Sequence, residues 1–179
     1  MTMRISRALI PTPLGDMLAL ASDDGLCALE FVGPRRRHRL ESRLRRWFPP
    51  HEIADGWTAG LQQTRDWLSA YFEGASADPG DLRLDLRGGP FERRVWTALR
   101  EIPAGATSTY GAIAKKLGAP GAARAVGAAN GANPVGIVVP CHRVIGSSGT
   151  LTGYGGGLNR KGWLLAHEAR WRPDLPTLF

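Results

Sequence analysis

A chain of 179 residues, 43% apolar and 22% charged, has the material for one large globular domain or two small ones. It holds no run of about 18 apolar residues, which excludes a membrane-spanning helix, and its two cysteines are too few for a disulfide framework. The net charge of +7 is unevenly placed: residues 1–87 carry 12 Lys+Arg and 12 Asp+Glu, residues 88–179 carry 11 and 4. A basic half beside a neutral half points to a polyanionic partner for the basic half, although charge alone leaves a solubility surface equally open. Asp16 interrupts the apolar stretch nearest Arg4 and Arg7, so no secretory signal is read and a cytoplasmic location is expected.

In chain order, Arg4–Ile10, Met17–Ser22 and Leu26–Phe31 read as three strands of a meander. Turn chemistry separates them, Pro11-Thr12-Pro13-Leu14-Gly15 and then Asp23-Asp24-Gly25. Pro34 opens a surface helix over Arg35–Trp47, whose narrow apolar stripe is Leu40, Leu44 and Trp47. Its Arg35-Arg36-Arg37 run is read as a solvated face, because Glu41 and the neutral total argue against a nucleic-acid patch. A second helix is expected from about Thr58 to Tyr71, with Leu61, Trp67, Leu68 and Tyr71 inward. Gly74–Gly80 has loop composition, and Leu82, Leu84 and Leu86 alternate with Arg83, Asp85 and Arg87 as in a half-buried strand. These signals divide the chain into an N-terminal domain over 1–80, a linker and strand over 81–89, and a C-terminal domain over 90–172.

The second half opens with a helix from Pro90, with Phe91, Val95, Leu99 and Ile102 on one face, ended by Pro103-Ala104-Gly105. A helix-turn-helix pattern follows. Thr109 caps a helix with Tyr110, Ile113 and Leu117 inward, Gly118 stops it, and Ala119-Pro120-Gly121 turns into a helix over Ala122–Asn130. That helix is Ala and Gly apart from Arg124, Val126 and Asn130. Such smoothness suits close helix packing in a core, but the isolated Arg124 favours close contact with a partner.

Ile137–Val139 is an apolar run that Pro140 terminates, which places Cys141 at the end of an element. A lone cysteine is often a small buried hydrophobe. Here His142 and Arg143 follow directly, and then a segment with glycines at 146, 149, 153, 155, 156 and 157. Neighbouring cations favour the reactive thiolate, and dense glycine lets backbone approach a bound group. Cys141 is therefore the candidate nucleophile. On an extended segment, adjacent side chains point to opposite faces, so a bridging water is expected between Cys141 and His142 rather than a direct bond. Cys27, on a predicted strand, is expected to be inert. Neither cysteine has Cys or His at ligand spacing, so no metal is expected.

Pro140-Cys141-His142-Arg143-Val144 resembles the active-site motif of the O6-alkylguanine-DNA alkyltransferases, in their bacterial single-protein form. The likeness extends to Asn133-Pro134, Ala122-Ala123-Arg124-Ala125-Val126-Gly127, Ser147-Ser148-Gly149, Gly156-Gly157-Leu158 and Trp163-Leu164-Leu165-Ala166-His167-Glu168. It is strong over residues 88–170 and compatible over the N-terminal meander. The fold it implies is α/β: an N-terminal ribonuclease H-like domain, and a C-terminal, mostly helical, winged helix-turn-helix-like domain carrying the active site. The function it implies is stoichiometric, irreversible transfer of an alkyl group from O6-alkylguanine, and from O4-alkylthymine, in duplex DNA to Cys141. No cofactor, membrane or obligatory protein partner is implied, and the expected state is a monomer.

By the same resemblance, His142 activates Cys141 through water and Glu168 orients His142, with thiolate and imidazolium favoured as a pair. Tyr110 hydrogen-bonds a ring nitrogen of the leaving guanine, and Asn133 holds the turn between helix and active site. Pro140, Val144, Tyr154, Gly155 and Gly156 line the base pocket. Carbonyls of Cys141 and Val144 accept from the guanine amino group, and amides of Tyr154 and Gly155 face O6. Many relatives carry serine at the position of Gly155, so here only the amide contact remains. Lys161 reads as structural. Arg124 fills the stack left by a flipped nucleotide, while Ala123, Ala125 and Gly127 let the helix enter the narrow minor groove, with Thr109 beside it. Arg93, Arg94, Lys115 and Lys116 are candidate phosphate contacts.

Three other readings remain. A lesion-binding sensor related to the alkyltransferases would lack the acceptor cysteine, which is present. A helix-turn-helix regulator needs base-reading polar side chains that Ala122–Asn130 does not offer. A cysteine hydrolase would return to its unmodified mass after each cycle.

Overall fold

The computed structural model describes residues 2–175. The chain divides into two compact units, Met1–Arg87 and Gly88–Phe179.

The first unit is built on a four-stranded sheet in which the third, second, first and fourth strands of the chain lie side by side in that order. Strands β1 (Met3–Ile10), β2 (Met17–Ser22) and β3 (Gly25–Phe31) form the expected antiparallel meander. Helix α1 (Pro34–Trp47) places Leu40 and Leu44 in a cluster with Ile5, Leu20, Cys27, Ala28 and Phe48. Helix α2 (Ala59–Glu73), packed on β2 and β3, starts where the Thr58 hydroxyl accepts from the Leu61 amide. It buries Leu61, Thr64, Trp67, Leu68 and Tyr71.

Two features depart from the sequence reading. Strand β4 (His51–Asp55), parallel to β1, was not expected. It is an edge strand, and its one large apolar residue, Ile53, is 38% exposed, so no alternation marks it. Conversely, Leu82–Leu86 is not a strand. It makes one parallel bridge, Leu84 to Leu26. The Leu26 amide donates to the Arg83 carbonyl at 2.8 Å and the Asp85 amide to the Leu26 carbonyl at 2.9 Å. Gly25 permits this approach: its φ is +152°, and a Cβ there would lie 2.6 Å from the Arg83 oxygen. Only Leu82 of the three leucines is buried.

The second unit is mostly helical. Helix α3 (Pro90–Arg100) buries Val95, Trp96, Ala98 and Leu99. Phe91, expected inward, is only half-buried. Trp96, not singled out from the sequence, is fully buried, and its indole N–H donates to the Ala129 carbonyl at 2.8 Å. Strand β5 (Ser108–Thr109) leads into helix α4 (Tyr110–Lys116), capped by the Thr109 hydroxyl accepting from the Ala112 amide at 3.1 Å. After a turn, helix α5 (Ala123–Gly131) packs on α3 and α4. Strand β6 (Val144–Ile145) pairs parallel with β5, and helix α6 (Leu158–Glu168) follows the glycine-rich segment. No helix among the described residues is long and apolar enough to cross a membrane.

Candidate active site

The segment from α5 to Cys141 is a chain of turns that the Asn133 side chain ties together. The Asn133 carboxamide donates to the Val139 carbonyl at 2.8 Å and accepts from the Val135 amide at 3.0 Å. The Val139 amide closes onto the Val135 carbonyl at 3.0 Å. Inside this loop Ile137 has φ 66°, a left-handed conformation that a β-branched residue adopts only when its surroundings impose it. Pro140 then caps a 3-10 turn over Cys141–Arg143. The segment is thus helical rather than extended, which corrects the premise that alternating faces separate Cys141 from His142.

Cys141 is 8% exposed, and His142 and Glu168 are fully buried. His142 Nε2 lies 2.8 Å from Glu168 Oε1. Arg143 grips the same carboxylate with two arms, Nε to Oε2 at 2.8 Å and Nη2 to Oε1 at 2.7 Å, and its Nη1 donates to the Ile102 carbonyl at 2.6 Å. Burial pushes the Glu168 carboxyl up, but His142 and Arg143 outweigh it and hold it well below the usual carboxylate range. For His142 burial dominates and lowers the imidazole pKa. Glu168 opposes this, and Arg143 and Lys161 reinforce it. Arg143 therefore already balances the Glu168 charge, and the resting imidazole is neutral. The direction favours the neutral imidazole over the imidazolium of the expected resting pair. With Nε2–H donating to Glu168, Nδ1 presents a lone pair, buried and without a partner among the described residues.

Lys161, fully buried, donates to the Val144 carbonyl and, at 2.7 Å, to the Thr152 carbonyl. The Val144 carbonyl expected to face the base thus already holds an ammonium. Tyr110 is half-buried, and its ring lies along α5 at Gly127, where a Cβ would sit 3.7 Å from the ring. Its hydroxyl donates to the Thr152 carbonyl and accepts from the Thr152 hydroxyl, both at 3.4 Å. The Tyr154 ring stands edge-on to His142 with centroids 6.4 Å apart, Gly156 is buried and Gly155 exposed.

On α5, Val126, Ala129 and Asn130 turn inward, while Arg124, Ala125, Ala128 and Gly131 are exposed and Ala123 is half-buried. The outer face is therefore small side chains plus one long cation. Of the four candidate phosphate contacts, Arg94 donates to the Leu117 carbonyl at 2.6 Å and Lys116 pairs with Glu101. Arg93 and Lys115 are exposed and meet no acid among the described residues. Sequence reasoning missed Arg143 as the partner of Glu168, Thr152 as the partner of Tyr110, and Asn130. Only Arg143 carried a signal, a cation next to His142.

The DNA binding domain of 6-O-methylguanine DNA methyltransferase matches residues 90–170, and the ribonuclease-like domain of the same family matches residues 5–86. A methylated-DNA–protein-cysteine methyltransferase of Mycolicibacterium paratuberculosis is 59% identical over 127 residues, 69% of this chain and 76% of the relative. That of Salmonella typhimurium is 48% identical over 171 residues, 93% of this chain and 96% of the relative. Among solved structures, the Mycobacterium tuberculosis O6-methylguanine methyltransferase aligns with TM-score 0.75 at 44% identity over 93% of both chains. Mycobacterium tuberculosis OGT in complex with DNA aligns with TM-score 0.78 at 42% identity, again over 93% of both chains. With both domains matched in order and the cysteine, histidine and glutamate assembled in the second, the chain belongs to the O6-methylguanine DNA methyltransferase family.

Proposed function

We propose that the chain repairs duplex DNA by moving the alkyl group of O6-alkylguanine, and of O4-alkylthymine, onto Cys141 Sγ. The observation that carries the reading is the burial of Cys141, His142 and Glu168 together, with His142 Nε2 held 2.8 Å from Glu168 Oε1. His142 Nδ1 takes the thiol proton through a bridging water, and Glu168 receives Nε2–H and steadies the imidazolium that forms. The thiolate attacks the alkyl carbon in line: an S–C bond forms, the C–O6 bond breaks, and its electron pair leaves with guanine. Tyr110 donates to the ring nitrogen where that charge collects, and guanine gains the one proton that balances the one lost by the thiol. The thioether has no hydrolytic route here, so each molecule acts once, with no cofactor.

An O6 substituent in a stacked duplex cannot reach a thiol, so the nucleotide swings out. The exposed face of α5 suits the minor groove, Arg124 fills the gap, and Arg93 and Lys115 bind phosphate. Asn133 fixes the turn that joins this helix to Cys141. Pro140, Val144, Tyr154, Gly155 and Gly156 form the base pocket. The protein acts as a monomer in the cytoplasm. Intact mass before and after incubation with methylated duplex tests the reading. One added methylene, lost in Cys141→Ser, is expected; an unchanged mass refutes it.

A further inference from the structure

Among the described residues of the C-terminal unit, two buried side-chain polar atoms lack a hydrogen-bond partner, His142 Nδ1 and Asn130 Oδ1. Both belong to residues that adjoin Cys141. His142 follows it in the chain. Asn130, near the end of α5 and 3% exposed, donates from Nδ2 to the Cys141 carbonyl at 3.4 Å. Buried polar atoms are almost always partnered, so two orphans on the residues that adjoin Cys141 call for a cause. With Nε2–H committed to Glu168, both orphans are acceptors. A thiol is a donor, and a water molecule gives two hydrogens and accepts one or two.

We infer that Asn130 is a positioning residue for proton removal from Cys141, through the water that joins Sγ to His142. The inference rests on the alkyl-transfer reading above. The water accepts the S–H hydrogen, gives one hydrogen to His142 Nδ1 and gives the other to Asn130 Oδ1. In the transfer the S–H bond breaks, a water O–H is replaced by the incoming proton, and an Nδ1–H bond forms. Water is unchanged overall. Asn130 gains and loses nothing. It aims the water lone pair at sulfur, and its amide N–H holds the backbone of the residue that carries that sulfur. One carboxamide thereby ties the end of α5 to both the peptide and the proton path of the nucleophile.

The test is the pH profile of Cys141 alkylation by free O6-benzylguanine, followed by intact mass, for the unsubstituted protein and Asn130→Leu. The expected result is a roughly tenfold slower reaction near pH 7, the loss of about one hydrogen bond. The deficit should narrow as pH rises to about 9, where a thiol ionises without help. A deficit of the same size at every pH, the mark of a structural role, or no deficit, overturns the inference. Should the Leu variant not fold, an atomic-resolution crystal structure of the unsubstituted protein decides. A water within hydrogen-bond distance of Asn130 Oδ1, His142 Nδ1 and Cys141 Sγ supports the role. A water on His142 alone, or a protein group bonded to Asn130 Oδ1, refutes it. An unsubstituted protein that gains no mass overturns the function reading itself, a result distinct from either.

Discussion

Replacing Arg143 by Met tests whether the charge balance at Glu168 sets the state of the active site. Arg143 gives three hydrogen bonds, two to a fully buried carboxylate and one to the Ile102 carbonyl, and is itself 6% exposed. Met fills similar volume but takes both guanidinium donors from Glu168, while the His142 Nε2 contact at 2.8 Å stays. Removing one member of a buried ion pair destabilises by about 3–5 kcal/mol, a large part of the roughly 5–15 kcal/mol that holds a typical domain. The same change acts on His142. Arg143 helps to lower that pKa and Glu168 opposes the lowering, so without Arg143 it rises. In the unsubstituted protein His142 stays neutral when folded and takes a proton near 6.5 when unfolded, so the unfolded state binds more protons below that pH. Stability is then fully present above pH 6.5 and declines as pH falls below it. Glu168, depressed in the folded state, adds a second decline below the ordinary carboxylate value of 4.5. In Arg143→Met the first decline should shrink, because folded His142 now takes its proton more readily. Urea unfolding of both proteins at several pH values from about 5 to 8 measures this. A variant within about 1 kcal/mol of the unsubstituted protein, or one with the same slope between pH 5 and 6.5, would refute the reasoning.

Other substitutions separate the remaining roles. Cys141→Ser should abolish transfer yet bind duplex within about threefold of the unsubstituted protein in a fluorescence anisotropy titration, since a change of under 1 kcal/mol is expected where no DNA contact is lost. Arg124→Ala should slow repair of methylated duplex by tenfold or more while leaving attack on free O6-benzylguanine nearly unchanged, a split of about 1.4 kcal/mol; equal losses would remove Arg124 from base extrusion. Cys27, whose thiol is pushed up to about 12 by burial and whose sulfur bonds the Leu20 carbonyl at 3.3 Å, is inert. Cys27→Ala should therefore keep full alkyl uptake in the mass assay, with a cavity cost of about 1 kcal/mol in thermal unfolding.

What the sequence disclosed follows from how local each signal is. The meander was legible because its turns lie within a few residues of the strands they join, and α2 because Thr58 and the spacing from Leu61 to Tyr71 are local as well. Strand β4 was hidden because it pairs with β1, some 48 residues earlier at Arg7 and Asp55, and buries little of its own. The alternation at Leu82–Leu86 misled because Arg83 and Asp85 serve Leu26 through their backbones rather than a ladder. In the active site, Cys141, His142 and Glu168 were named from a motif and its resemblance. Arg143 was read as a cation near a thiol, and its true partner lies 25 residues away. Likewise Tyr110 was named without Thr152, 42 residues on. Single residues show in a sequence, whereas the pairings that set their charge and direction arise only on folding.

The turn between α5 and Cys141 has a mechanical consequence. Asn130 and Asn133 fasten the carbonyls of Cys141 and Val139 to the end of the helix, and the strained Ile137 is locked between them. The sulfur therefore cannot travel toward its target on a swinging arm. Its distance from the helix surface is set when the chain folds, so under the proposed function the approach of the reacting atoms is left to the flipped nucleotide.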